Sequence, residues 1–178
     1  IKGRMDGSSL LAALGKISPV NAVRGDNDGN DDCAKQLPDT RTYTAGAVRF
    51  VVHHGNKNDD AGLPDWKDDE AVLAALEPAG GWRESGDIIV SGHSHTPRLE
   101  RHRSGVTFLN PGSAGPQRFK LPRRCALVHC DAGEFSLRSV DLAAGGAMGA
   151  WDVRTVGKRA AEHPSPAPEP DAPRRCIA

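Results

Sequence analysis

The chain has 178 residues, the size of one ordinary domain. Its 23 Lys and Arg balance 23 Asp and Glu, and a net charge of zero excludes the basic footprint of a protein that binds nucleic-acid duplexes. No apolar run approaches the roughly 18 residues of a membrane span, and four cysteines without a C-x-x-C pair exclude a zinc ribbon or a thioredoxin-type redox centre.

In chain order, residues 8–17 (SSLLAALGKI) carry apolar side chains at helical spacing behind capping serines, which predicts a short helix. Residues 20–24 turn extended and are broken by Gly25-Asp26-Asn27-Asp28-Gly29. Residues 41–44 and 48–53 predict two strands joined hairpin-fashion through Ala45-Gly46-Ala47. After a polar stretch at 56–67, residues 68–76 (DDEAVLAAL) predict a helix, with acidic residues in the first turn and Pro78 beyond the end. Residues 87–90 (DIIV) form a short apolar run of the kind buried on both faces of a sheet. Two further hairpins are expected, 98–102 with 106–109 and 125–129 with 135–140. From about residue 157 the pattern stops, and the Pro-rich run HPSPAPEPDAP predicts an unstructured tail over 157–178 behind a domain at 1–156. Parallel-type strands first and hairpins later point to a layered α/β sandwich.

Three extended apolar runs end in metal-ligand residue types. Residues 21–24 lead through Gly25 to Asp26, residues 48–52 lead to His53 and His54, and residues 87–90 lead through Ser91 and Gly92 to His93 and His95. Ligands of α/β sheets bind beyond the carboxyl ends of strands, and neighbouring strands lie about 4.8 Å apart. Such ends can converge on one ion. Imidazole with carboxylate suits Mn, Fe, Zn or Ni without choosing among them. Gly25 and Gly92 are expected to permit sharp turns before the ligands. In His93-Ser94-His95 an extended backbone would point both imidazoles the same way. A single His, or the H-x-H alone, is as well explained by a satisfied surface or core pair; three strand ends together are specific.

Other chemistry-bearing residues have plainer readings. His102 and His129 fall within hairpin strands, and His53 faces away from the His54 position. Asp68, Asp69 and Glu70 suit a helix N-terminus, while Cys125 and Cys130 pack along a strand. Reduced thiols and the absence of a signal segment suggest a cytoplasmic protein.

The stretches Val23-Arg-Gly-Asp-Asn-Asp28, Val52-His-His-Gly55, Ser91-Gly-His-Ser-His95 and Leu109-Asn-Pro-Gly-Ser-Ala-Gly-Pro116 resemble the calcineurin-like metallophosphoesterase superfamily. The branch they resemble holds the small bacterial-type phosphodiesterases and the retromer subunit of the vacuolar-sorting machinery. Order and spacing agree over about residues 8–142. The resemblance implies a four-layer αββα sandwich with a two-metal site at the sheet rim. His54 and His93 would hold one ion with Asp26 beside them, and His95 would hold the other. Asn110 and Gly112 would shape a supporting turn. Asn27 and Asp28 are the candidate catalytic residues, although Asn27 stands where some members place a proton-donating His and cannot act as a general acid. The implied cofactor is a divalent metal, Mn first and Ni, Fe or Zn next, and the implied partner is a small phosphorylated substrate. Family members open with a strand ending in Asp-x-His and a second ending in Gly-Asp; neither opening strand precedes the helix at 8–17 in this sequence, which starts at Ile1. The expectation is a sandwich without its first β-α-β unit, with half the metal ligands, at most one occupied site, impaired hydrolysis and a gap near the centre of the sheet. The alternative is a scaffold similar to the retromer subunit, which shares the Arg-Gly-Asp-x-Asp form.

Overall fold

The structure, a computed structural model, describes residues 7–26, 28, 34–55, 68–78, 81–82, 86–117, 120–131, 134–143, 148–153 and 176–177. The chain opens with α1 (Gly7–Gly15), of which no residue is buried. Leu10, Leu14 and Ile17 are exposed, so the helical spacing was real but its apolar stripe is not core. Residues 19–25 form neither helix nor strand, and a 3-10 turn lies at Ala34–Gln36. The expected extended segment before Asp26 is held by the Arg24 N–H, which donates to the Pro38 carbonyl (2.9 Å), and by the Arg24–Asp39 ion pair (2.7 Å).

The hairpin of β1 (Thr40–Ala45) and β2 (Val48–His53) comes next, with Gly46 at φ 59 in the turn. Then follow α2 (Asp69–Ala75), β3 (Ile88–Val90), β4 (Arg98–Arg101) and β5 (Thr107–Asn110). Asp68 caps α2 by accepting from the Ala71 N–H (3.0 Å), which makes the acidic run a helix start. The strand expected over 98–102 stops one residue early. His102 sits in the turn, where its Nδ1 engages Ser104 Oγ at 2.9 Å. The chain ends with β6 (Arg124–Asp131), β7 (Glu134–Asp141), β8 (Met148–Val153) and β9 (Cys176–Ile177).

Five strands form one sheet in the order β1-β2-β3-β5-β4, and four form a second in the order β8-β7-β6-β9. The middle of the first sheet is parallel. Phe50, Val51 and Val52 pair with Ile88, Ile89 and Val90, which pair with Thr107, Phe108 and Leu109. The expected central gap is therefore corrected: β2, β3 and β5 pair directly, and each has a ladder partner on both sides. Two-residue alternation divides the core. Val48, Phe50, Val52, Ile88, Val90 and Leu109 face Ala126, Phe135 and Leu137 of the second sheet. Val51, Ile89, Val106 and Phe108 face Val72, Leu73 and Leu76 of α2 and Trp82. The result is the mixed α/β metallophosphoesterase sandwich, with helix, sheet and sheet as its packed layers among the described residues.

One strand lies inside the expected tail. Cys176–Ile177 pairs antiparallel with Ala126 and Leu127 on the edge of β6, where open backbone donors and acceptors favour an added strand whatever the composition upstream. Residues 154–175, with the whole Pro-rich run, lie outside the described residues, as do the polar stretch 56–67 and Asn27.

Candidate metal centre

The parallel strands β2 and β3 end at the same rim of the first sheet. Past β2 comes His54; past β3 come Ser91, Gly92 and His93. The Gly92 N–H donates to the His54 carbonyl (3.0 Å) and the Ser91 N–H to the Leu109 carbonyl (2.9 Å), so the ladders run on into the ligand loops. Asp26 reaches this rim from the segment that Arg24 anchors. His54 Nε2 lies 2.8 Å from Asp26 Oδ1, and His93 Nδ1 lies 3.6 Å from Asp26 Oδ2. The two imidazoles meet edge to face with ring centroids 5.3 Å apart. One ligand atom from each of Asp26, His54 and His93 falls within 4.8 Å of the others.

Asp26 is partly exposed. Partial burial disfavours its charge, but the hydrogen bond to His54 and the fields of His54 and His93 outweigh it and hold its carboxyl below the usual carboxylate range. The cluster is therefore an anion facing two imidazoles. His53, one residue before His54, points the other way, as its place in the strand predicts. It is 3% exposed, and burial, then the His54 charge, pushes it down to about 4, so it stays neutral.

The donor set fits a borderline divalent ion: two neutral-capable nitrogens and a carboxylate, already within the reach of one sphere and hydrogen-bonded to one another. His95 is not among these three. Its side chain lines a recess with Ser113, Gln117 and Arg123.

Two sequence arguments are corrected here. The backbone of the H-x-H segment is not extended: His93 and His95 adopt φ 58 and φ 57, and the Ser94 N–H folds back to the Gly92 carbonyl at 2.7 Å. Left-handed backbone at His93 and again at His95 is strained for residues with a β-carbon, so the alternation of an extended strand does not set the directions of these two rings. The glycines also work differently. Neither Gly25 nor Gly92 has a positive φ. A β-carbon at Gly25 would lie 3.1 Å from His54 Cε1, so this glycine lets the ring pack against the loop backbone; at Gly92 the nearest atom would be 3.6 Å away, an ordinary contact.

The strained turn has a visible restraint. Asn110, 2% exposed at the end of β5, donates through Nδ2 to the Gly92 carbonyl (2.7 Å) and to Ser94 Oγ (3.2 Å). Its Oδ1 accepts from the Gly112 N–H at 2.9 Å, with Gly112 at φ 90. One side chain thus ties the His93 turn to the Asn-Pro-Gly turn. Asp28 has a similar duty: its Oδ2 accepts from the Gly25 N–H at 2.7 Å and closes the loop that carries Asp26. Sequence reasoning missed Asp39 and Ser94, whose roles depend on neighbours distant in sequence and leave no local signal.

Three ligand side chains, one carboxylate and two imidazoles, meet at the carboxyl rim of a mixed sheet beside an Asn-Pro-Gly turn. The Calcineurin-like phosphoesterase superfamily domain matches residues 3–133, and the chain belongs to that family. Among solved structures it is similar to a single-mutant form of Vps29 from Entamoeba histolytica, at 21% identity and TM-score 0.63 over 86% of this chain and 85% of that one. Wild-type Vps29 of the same organism, complexed with zinc, matches at 22% identity and TM-score 0.59 over 81% and 73%. A conserved Streptococcus pneumoniae TIGR4 protein described as a predicted phosphoesterase matches at 19% identity and TM-score 0.53 over 78% and 70%. These likenesses concern the fold. Among the described residues no helix is long and apolar enough to cross a membrane.

Proposed function

We propose that this chain is a metal-dependent phosphoesterase that binds one divalent ion through Asp26, His54 and His93 and hydrolyses a small phosphorylated substrate at a reduced rate. The observation that carries the reading is the convergence of those three ligand atoms within 4.8 Å. An ion held there would polarise a phosphoryl oxygen and acidify water. The chain's own residues do the rest. Asp26 supplies negative charge between two imidazoles, Asp28 and Gly25 hold that carboxylate in place, and Asn110 keeps His93 turned toward it. Asn27 is assigned a hydrogen bond to the phosphate and Asp28 a place beside it. His95, apart from the cluster, is assigned to the substrate side or to a second, weaker ion. Manganese is the preferred ion, with zinc, iron and nickel as the alternatives the donor set accepts. Four cysteines without a C-x-x-C pair suit a cytoplasmic setting.

The test is metal content after dialysis against Mn, together with hydrolysis of bis-p-nitrophenyl phosphate. One equivalent of ion and a slow, Mn-dependent rate are expected, both lost in His54→Ala. A chain that retains no ion, or whose rate is indifferent to a chelator, overturns the reading.

A second reading is a non-catalytic scaffold with the same ion in a structural role. It is favoured by the likeness to Vps29 over 86% of the chain and by an anion at Asp26, in the Arg-Gly-Asp-x-Asp form. One equivalent of ion bound with no hydrolysis, and a partner released on chelation, would establish it in place of the first.

A further inference from the structure

At the rim opposite the metal centre, a cleft of about 370 Å³ runs between α2, Trp82 and the turn that joins β4 to β5. Its size is that of a small-ligand site. Glu70, Leu73, Ala74 and Glu77 supply one wall at helical spacing, and His102, Arg103 and Ser104 supply the other. The floor is apolar: Leu73 is buried and Trp82 packs against the core beneath α2. The indole N–H of Trp82 donates to the Leu73 carbonyl at 3.0 Å, which fixes the ring against the helix.

The two carboxylates of this wall, Glu70 within α2 and Glu77 just past its end, differ in their company. Glu70 is matched from within the chain by the Arg103 guanidinium, with His102 Nε2 at 3.4 Å. Glu77 is exposed and has no cationic partner among the described residues. One end of the cleft therefore carries its own guanidinium, and the other offers a bare carboxylate beside an anchored indole.

We propose that this cleft is a binding site for a small organic cation, an ammonium or guanidinium on an apolar or aromatic stem. The cationic head pairs with Glu77 beside the Trp82 ring, and the stem lies over Leu73 and Ala74. Carboxylate and indole attract the same charge, and the low-polarity floor strengthens both attractions. Arg103 closes the far end, where its guanidinium already occupies Glu70. The site shares no residue with the metal cluster, so it stands or falls independently of the phosphoesterase reading.

The experiment is a titration of the full chain with phenethylammonium and, separately, with the uncharged 2-phenylethanol. The signal is the indole N–H resonance of Trp82, identified among the three tryptophans by its loss in Trp82→Phe. A saturable millimolar shift with the ammonium, at least about tenfold weaker with the alcohol and weakened about tenfold by Glu77→Gln, is expected. Addition of a chelator leaves it unchanged. Equal response to the alcohol, indifference to Glu77→Gln in a variant with an unaltered amide spectrum, or no saturation overturns the proposal.

Discussion

At Gly25 a single hydrogen decides how close the loop can come to His54. An added β-carbon would meet His54 Cε1 at 3.1 Å and Nδ1 at 3.2 Å, distances at which the ring must move. Gly25→Ala is therefore expected to weaken metal binding about tenfold while Gly92→Ala changes it little, since its nearest neighbour would be 3.6 Å away. Calorimetric titration of Mn or Zn into both variants checks this contrast; equal losses would mean that crowding of His54 is not what matters. The same scale explains Asn110. Its Nδ2 restrains a turn that holds His93 and His95 at positive φ. In Asn110→Asp the donor becomes an anion facing the Gly92 carbonyl. Metal affinity is expected to fall roughly 10–100-fold, as for other residues that orient ligands, and amide exchange at residues 92–95 should speed up.

At the scale of elements, one buried charge pair joins the strands at the end of the sheet away from the metal. Arg49 of β2 donates to Asp87, which is fully buried just before β3, and also to the Gly81 carbonyl. Asp87→Ala leaves the guanidinium largely buried without its anion, and the expected loss is about 3–5 kcal/mol of unfolding free energy. Urea denaturation measures it; a loss under about 1 kcal/mol would show that water replaces the carboxylate freely. This pair was illegible in the sequence, where Arg49 reads as the polar interruption of an apolar run and Asp87 as a strand's first residue. Strand β3 was legible because its apolar run is continuous, the mark of burial on both faces, and β2 because Phe50, Val51 and Val52 run unbroken past Arg49. The acidic start of α2 was legible because capping is local. The positive φ of His93 was not, because the Asn110 hydrogen bond that helps hold it comes from a neighbouring strand.

For the whole molecule, the metal centre joins parts that are far apart in the chain. Asp26 comes from an irregular segment held at Arg24, while His54 and His93 follow adjacent parallel strands. The strand-end pattern alone left four candidates, and the family resemblance set Asp26, His54 and His93 apart from His95; the distances between them depend on turns closed by long-range contacts and left no local signal. An ion bound to Asp26, His54 and His93 would link these segments in the native state alone, so mass action must stabilise the fold. With free ion at 100 times its dissociation constant the gain is about 2.7 kcal/mol, or roughly 5–10 °C in Tm for a chain of this size. Thermal unfolding with Mn or Zn, against the same protein in chelator, should show that rise. It should vanish in His93→Ala and persist in His129→Ala, where an exposed strand histidine outside the cluster is removed. A metal-induced rise that survives in His93→Ala would place the ion elsewhere, and the convergence of the three strand ends would then have no part in holding it.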